Sequence, residues 1–171
     1  LGKDPKATKV GWHHLRYDSA EVRLLRPDMG LTLNGIAQGY ITDRIAALLR
    51  AEGLANVLLD MGEVAALGNR LDGHGWQVGV ASPDGTLQSK LTLSDRALAT
   101  SAAAGTQVGD GQSHILDPRT GLGAAATRMI SVSAPKAALA DGLSTALCLL
   151  PATAAAAVIS QFSGAKLEYL A

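Results

Sequence analysis

The spacing of hydrophobic residues changes period several times along the chain, and this feature most limits the fold. Short stretches alternate between apolar and polar residues, which is typical of half-buried strands. Residues 36–52 and 136–150 instead have the three-to-four-residue spacing of amphipathic helices. The two kinds of stretch are mixed without a regular strand–helix–strand repeat. This order predicts an α+β fold, with helices packed on an antiparallel or mixed sheet.

Turn residues divide the predicted elements. Asp18 and Ser19 split residues 12–25 into a hairpin, and residues 31–33 are predicted to form a third short strand. Further strands are predicted at residues 56–60, 63–67, 76–81, 87–93, 128–134 and 166–170. Pro151 is expected to begin a last helix that ends at Gly164. The helix over 36–52 is expected to end at a Gly53 cap and to pack through Ile36, Tyr40, Ile41, Ile45, Leu48 and Leu49.

Composition limits the kind of site that the chain carries. With 171 residues, of which 47% are hydrophobic, a single domain over residues 1–171 is predicted. Fifteen basic residues balance fifteen acidic ones and aromatic residues make up only 4%, so a nucleic-acid surface is not expected. No stretch approaches the ~18 continuous apolar residues of a membrane-spanning helix. Cys148, the one cysteine, lies in an apolar run and is expected to be a buried hydrophobic residue.

Three polar clusters combine glycine with groups that bind phosphate or a hard cation, and the first spans residues 34–40. Gly35 and Gly39 flank the start of the predicted helix. Such glycines let a ligand approach free N–H groups at the positive end of the helix dipole. They equally permit another part of the backbone to pack closely there. The spacing alone leaves both interpretations open.

The second cluster contains residues 99–101 and, after a glycine-rich loop, residues 113–121. His114 lies on an otherwise apolar segment, where a neutral imidazole would accept a hydroxyl proton near pH 7. A purely structural histidine is the alternative. Asp117 begins an Asp-Pro-x-Thr-Gly turn, in which its carboxylate would accept backbone N–H bonds, again a structural role.

The third cluster, residues 140–145, lies on the predicted helix over 136–150. Asp141 and Thr145 are four residues apart and project from the same face, with Ser144 beside them. One carboxylate with hydroxyl and carbonyl oxygens suits Mg²⁺, which prefers oxygen and shares its ligands with substrate phosphates. Alternatively, Asp141 only favours an early helical turn through the dipole.

In their order along the chain, these clusters and one further turn resemble the motifs of the ApbE-type FAD:protein FMN transferases. The motifs occupy residues 35–40, 60–63, 99–102, 114–121 and 140–145. The resemblance runs from about Trp12 to the last predicted strand. It implies a flavin transferase domain related to the T-fold, of which this chain is the C-terminal portion.

The resemblance also implies roles for individual residues. His114 would help to deprotonate the acceptor hydroxyl as it attacks the FMN phosphorus. Mg²⁺ would be held against the FAD pyrophosphate by Asp141, Thr145, Ser144 and the Gly35 carbonyl. The flavin nucleotide would be contacted by Thr32, Gln38, Gly39, Thr100 and Ile115. The chain departs from the family's usual residues at Thr32, Gln38, Glu63 and Ala102, which changes charge and backbone freedom around the nucleotide and leaves the implied metal and histidine positions intact.

The implied reaction is Mg²⁺-dependent transfer of FMN from FAD to a Ser or Thr hydroxyl of a partner flavoprotein, with release of AMP. The implied partner is an electron-transfer flavoprotein in the periplasm or another extracytoplasmic compartment. Any membrane contact would be through an anchor outside this sequence. Two alternatives stay open: a non-catalytic FAD-binding or accessory module, and an FAD pyrophosphatase in which water replaces the protein hydroxyl.

Overall fold

A computed structural model describes residues 10–108 and 111–171 of the chain. The N-terminal part contains strands β1 (Leu15–Tyr17) and β2 (Val22–Leu24) and helix α1 (Ala37–Ala51). The middle part contains β3 (Val57–Asp60), β4 (Val64–Leu67), β5 (Trp76–Ala81), β6 (Leu87–Leu93), β7 (Arg96–Ala102), β8 (Gln107–Val108) and β9 (Gln112–Ser113). The C-terminal part contains β10 (Met129–Ala134), α2 (Ala137–Leu147), α3 (Ala152–Ile159) and β11 (Lys166–Leu170).

Five strands form the central sheet, in the order β11-β10-β7-β4-β3, and each neighbouring pair is antiparallel. The predicted α+β class is therefore confirmed. Strand β10 lies deepest, because all of its residues are buried. On one face of the sheet, Ile130 and Val132 pack against Leu143 and Leu147 of α2.

The hairpin of β5 and β6 covers the other face of the central sheet. It forms a two-stranded sheet of its own. Val80 and Leu93 of the hairpin pack against Leu98 and Met129 of the central sheet. The described residues thus form three layers: helices, central sheet and hairpin.

The predicted helix over 36–52 is confirmed as α1, but the predicted packing stripe is wrong. Ile41 and Leu48 are 49% and 57% exposed, whereas the buried residues of α1 are Gly39, Thr42 and Ala46. These residues are small because α1 approaches α2 closely: a Cβ at Gly39 would meet the Ala137 carbonyl and lie 2.7 Å from the Ala138 Cα. Of the two interpretations of the glycines, close packing holds for Gly39.

Two further expectations are corrected. Residues 31–33 do not form a strand, because the chain turns there directly into α1, with the N–H groups of Ile36 and Ala37 donating to the Leu33 carbonyl. Helix α3 ends at Ile159, and Gly164, at φ +77°, lies in the later turn before β11. The other predicted strands, the hairpin at Asp18 and the helix α2 are confirmed. In the described part of the chain, no helix has the length and apolar character needed to cross a membrane.

Gly39→Ala is expected to lower the free energy of unfolding by about 1–3 kcal/mol, because the added methyl group collides with the backbone of α2. Inside a helix, alanine is otherwise more favourable than glycine by about 1 kcal/mol. A loss of stability in Gly39→Ala would therefore come from the collision with α2. Gly30→Ala is the control, since a Cβ there has nothing within 4 Å. Denaturation followed by circular dichroism measures both variants, and equal stabilities would contradict the close contact.

Candidate functional site

The beginning of α1 lies beside α2, which brings the first and third polar clusters together. The Gly39 N–H donates to Asp141 Oδ2 at 3.0 Å, across 102 positions of sequence. A Cβ at Gly35 would lie 3.0 Å from Thr145 Cγ2, and a Cβ at Gly142 would lie 3.9 Å from the Gly35 carbonyl oxygen. The carbonyl of Gly35, the carboxylate of Asp141 and the hydroxyl of Thr145 therefore belong to one cluster, here called the oxygen cluster.

A second carboxylate fixes the two helices relative to each other. Asp43 of α1 accepts hydrogen bonds from the N–H groups of Ala137 at 2.9 Å and Ala138 at 3.1 Å, at the start of α2. A carboxylate is favourable there because it pairs the free N–H groups at the positive end of the helix dipole. Asp43 was not among the residues predicted from the sequence, although one signal exists: α2 starts after Lys136, which is not a capping residue.

Two further hydroxyl groups, those of Ser101 and Ser144, border the oxygen cluster. Ser101 Oγ lies 2.8 Å from Ser144 Oγ and 3.1 Å from Thr145 Oγ1. Ser144 is completely buried and donates to the Asp141 carbonyl at 3.0 Å. Ser101 belongs to the second polar cluster predicted from the sequence, where it had no assigned role; in the structure its hydroxyl holds the Thr145 hydroxyl in place. The structure gives Ser144 protein partners, and its role as a metal ligand stays a prediction.

The oxygen cluster fits a hard cation. Asp141 is only 4% exposed, and this burial raises the pKa of its carboxyl group, while the hydrogen bond from the Gly39 N–H lowers the pKa in part. Within residues 10–108 and 111–171, no group of three or more His, Cys, Asp or Glu side chains could hold a metal. The donors present are a carboxylate, a hydroxyl and a carbonyl, which suit Mg²⁺ completed by water or phosphate oxygens.

Another carboxyl group, that of Glu63, lies near the oxygen cluster, in the turn between β3 and β4. Glu63 is 6% exposed, and its Oε2 is the buried side-chain atom without a hydrogen-bond partner in the described part of the chain. Burial and then the nearby Asp141 carboxylate raise the pKa of Glu63 to about 8, with a further increase from Asp60, although the Thr100 N–H lowers it. From the sequence, Glu63 stands out only as a departure from the family's usual residues.

Gln38 lies between this turn and the oxygen cluster. A Cβ at Gly62 would lie 2.7 Å from Gln38 Nε2, so the amide rests on the turn that contains Glu63. The next residue, Gly39, donates to Asp141. Gln38 is thus an exposed polar group beside the cluster, which is the position expected of a nucleotide contact.

Thr32 lies in a separate open cleft of about 720 Å³ beside the β1–β2 hairpin. Trp12, Leu15 and Leu24 supply apolar walls, and Pro118 from the second polar cluster lines the same cleft. Ligand pockets typically have volumes of roughly 300–1,000 Å³ and mainly apolar walls. Thr32 and the turn after His114 therefore share a cleft large enough for part of a nucleotide.

The side chains of Thr100 and Ile115, which were predicted to contact the nucleotide, do not point to the oxygen cluster or the apolar cleft. Thr100 Oγ1 lies 2.8 Å from Ser131 Oγ, on the face of the sheet opposite to Ser101. Ile115 is 5% exposed and packs in the core with Ile130 and Leu143, because residues 113–116 alternate and point His114 outward instead. The side-chain positions of Thr100 and Ile115 therefore do not support a contact with a nucleotide.

His114 is exposed and held in one orientation. Its Nδ1 lies 2.9 Å from the Thr106 carbonyl oxygen. A carbonyl only accepts hydrogen bonds, so Nδ1 carries the proton and Nε2 is the basic nitrogen of the neutral ring. This tautomer leaves Nε2 to accept a proton from a bound hydroxyl group.

The structural alternatives hold for two other residues. Asp117 accepts hydrogen bonds from the guanidinium and then the backbone N–H of Arg119, which lower the pKa of the Asp117 carboxyl group. Cys148 is 4% exposed, and its burial raises the pKa of the thiol to about 11. The expectation that Cys148 is a buried hydrophobic residue is confirmed.

Comparison with known proteins agrees with this arrangement, since the ApbE family matches residues 4–170. The chain belongs to the ApbE family. An FAD:protein FMN transferase of Salmonella typhimurium is 29% identical over 159 residues, which cover 86% of this chain and 45% of that protein. An FAD:protein FMN transferase of Treponema pallidum is 33% identical over 162 residues, covering 84% of this chain and 44% of that protein.

Solved ApbE structures have the same fold. The ApbE protein of Thermotoga maritima superposes with a TM-score of 0.82 at 27% identity, covering 94% of this chain and 55% of that one. The flavin transferase ApbE of Vibrio cholerae gives a TM-score of 0.79 at 26% identity, covering 96% and 58%. The family resemblance predicted from the motifs is therefore confirmed, and the chain spans about half the length of these ApbE relatives.

Glu63→Gln is expected to alter the pH dependence of stability in chelator-containing buffer. The folded-state pKa of about 8 exceeds the ordinary value of 4.5, so the stabilisation is complete below about pH 4.5 and is lost as the pH rises through about 8. Glutamine does not titrate. As the pH increases from about 5 to about 9, the unfolding temperature of the variant should therefore rise relative to that of wild type.

The control for this measurement is Glu52→Gln, which removes an exposed carboxylate at the end of α1. Thermal unfolding is followed at each pH for the three proteins. A difference between Glu63→Gln and wild type that stays constant with pH would contradict the raised pKa.

Proposed function

We propose that this chain carries the cation site and the general base of an FAD:protein FMN transferase. The proposed reaction is the Mg²⁺-dependent transfer of FMN from FAD to a Ser or Thr hydroxyl of a partner flavoprotein, with release of AMP. The observation that carries the proposal is the meeting of Gly35, Asp141 and Thr145 in one oxygen cluster. Relatives in the ApbE family bear the name of this activity.

The proposed cation ligands are the Asp141 carboxylate, the Thr145 hydroxyl and the Gly35 carbonyl, with Ser144 as a further candidate. The protein orients them in advance, because the Gly39 N–H holds Asp141 and the Ser101 hydroxyl holds Thr145. When bound, Mg²⁺ supplies charge neutralisation for the pyrophosphate of FAD. Oriented ligands reduce the reorganisation needed on binding.

His114 is the proposed general base. Its Nε2 takes the proton from the acceptor hydroxyl while the hydroxyl oxygen forms a bond to the FMN phosphorus. The bond from that phosphorus to the bridging oxygen breaks, and AMP leaves with the bridging oxygen. General-base assistance of this kind contributes about 10²- to 10⁴-fold to a rate.

The nucleotide is proposed to extend between the two described regions. Gln38 stands beside the oxygen cluster, and Thr32 stands in the apolar cleft. This placement supports polar contacts near the phosphates and apolar contacts farther away. We also propose that the acceptor is an electron-transfer flavoprotein outside the cytoplasm, on the basis of the family resemblance.

The test uses the full natural protein with FAD, MgCl₂ and a candidate acceptor flavoprotein, beside a known FAD:protein FMN transferase. Covalent flavin on the acceptor is measured by mass spectrometry, and AMP by chromatography. The expected result is equal amounts of AMP and of modified acceptor. No modification while the known enzyme works would reject the proposal. AMP and FMN without acceptor would indicate a pyrophosphatase, and FAD binding without AMP would indicate a non-catalytic module.

Asp141→Asn is expected to reduce Mg²⁺-dependent transfer by at least about 10²-fold while the protein stays folded. The asparagine oxygen still accepts the hydrogen bond from the Gly39 N–H, but the negative charge toward the cation is lost. Asp72→Asn is the control, because it changes an exposed carboxylate paired with Arg70 at the surface. Transfer at the wild-type rate by Asp141→Asn would exclude Asp141 as a ligand.

His114→Ala is expected to slow transfer by about 10²- to 10⁴-fold and to leave the dissociation constant for FAD within about twofold. The reason is that Nε2 acts on the acceptor hydroxyl and not on the bound nucleotide. His74→Ala, at another exposed histidine, is the control. Single-turnover kinetics and equilibrium FAD binding separate the two effects, and an unchanged rate would leave His114 with a structural role.

A further inference from the structure

The turn between β3 and β4 places Glu63 against the helices that form the oxygen cluster. Its neighbour Gly62 lies under the Gln38 amide, and Gly39, next in α1, donates to Asp141. Glu63 follows Gly62 directly in this turn and is buried, and burial together with the Asp141 carboxylate raises the pKa of its carboxyl group. Three separate parts of the chain, the β3–β4 turn, the start of α1 and α2, thus lie side by side.

The environment of Glu63 lacks a compensating charge. The ionised groups that act on its carboxyl group are Asp141 and Asp60, both of which are acidic. Glu63 is 6% exposed, and its Oε2 has no hydrogen-bond partner within the described residues. A buried carboxylate oxygen without a partner is costly, and a second carboxylate nearby increases that cost. A cation bound beside Glu63 and Asp141 would compensate both carboxylates and give Oε2 a partner.

We infer that Glu63 is an additional ligand of the cation site and presents Oε2 to the same divalent cation as Asp141. The inference rests on the proposed function, because it concerns the same cation. Two carboxylates, the Gly35 carbonyl and the Thr145 hydroxyl make a set of hard oxygen donors. Glu63 is not among the metal ligands predicted from the family motifs.

A second carboxylate should raise the affinity of the site for a divalent cation above that of a site with Asp141 alone. Sites for Mg²⁺ with one carboxylate depend on substrate phosphates for much of their affinity, whereas a greater ligand charge raises affinity without them. The protein should therefore bind a divalent cation before the nucleotide. Glu63 would act as a binding residue in this step and not as a proton acceptor in the transfer.

The experiment measures Mn²⁺ binding to the full-length protein without nucleotide, near pH 8. Mn²⁺ is the probe because it prefers the same oxygen ligands and its free form gives an electron paramagnetic resonance signal. The proteins compared are wild type, Glu63→Gln, Asp141→Asn, the double variant and the control Glu52→Gln. Glutamine matches the shape of glutamate, and circular dichroism with thermal unfolding establishes that each variant is folded.

We expect Glu63→Gln to weaken Mn²⁺ binding by at least about tenfold, and Glu52→Gln to change it by less than about twofold. In the double variant, the loss of Mn²⁺ affinity should be smaller than the product of the two single losses, because both side chains hold one ion. If Glu63→Gln fails to fold, Glu63→Asp replaces it. The shorter side chain withdraws the carboxylate and should also weaken binding.

Other outcomes distinguish this inference from the proposed function. Wild-type affinity in folded Glu63→Gln, with loss in Asp141→Asn, would overturn the role of Glu63 and leave the proposed function standing. Multiplicative effects in the double variant would also overturn it, because they indicate separate ions. Absence of Mn²⁺ binding to wild type would overturn the two-carboxylate site, and the proposed function would then be judged by Mn²⁺ binding in the presence of FAD.

Discussion

The close contact between α1 and α2 is the interaction on which the rest of the structure depends. Glycine at position 39 allows the two backbones to approach more closely than any side chain would permit. Across this contact each helix supplies an acid to the other: Asp43 of α1 pairs the first N–H groups of α2, and Asp141 of α2 accepts the Gly39 N–H near the start of α1. The exchange compensates the positive ends of both helix dipoles.

This exchange also determines the electrostatics of the site. At the surface, acids of this chain pair with arginines, as in the Asp95–Arg50 and Asp117–Arg119 ion pairs. Next to the helix contact, burial and then the Asp141 carboxylate raise the pKa of Glu63, and backbone N–H groups compensate Glu63 and Asp141 only in part. Buried negative charge with incomplete pairing is what a cation site requires before its ion is bound. The fold and the proposed chemistry therefore have the same physical origin.

Membership of the ApbE family agrees with this arrangement, while the chain has features of its own. The apolar cleft beside the β1–β2 hairpin and the oxygen cluster offer two different environments, one for flat apolar groups and one for phosphate with its cation. The outer face of α1, with Ile41 and Leu48, is exposed in the described structure. Small residues face α2 and large ones face outward, which reverses the usual arrangement of an amphipathic helix.

The sequence by itself determined the α+β class, most strand positions, both long helices and the burial of Cys148, because these depend on local periodicity and turn residues. It also placed the five family motifs in order, which was sufficient to identify the family. Only the tertiary structure decided that Gly39 packs against a helix, that Asp43 caps α2, and that Glu63 is buried with an unpartnered Oε2. Those contacts join residues far apart in the chain, such as the 102 positions between Gly39 and Asp141, and hydrophobic spacing carries no information about such partners. Thr100 and Ile115 illustrate the same limit, because the face of a strand or the inward side of a turn is chosen by packing against the rest of the protein.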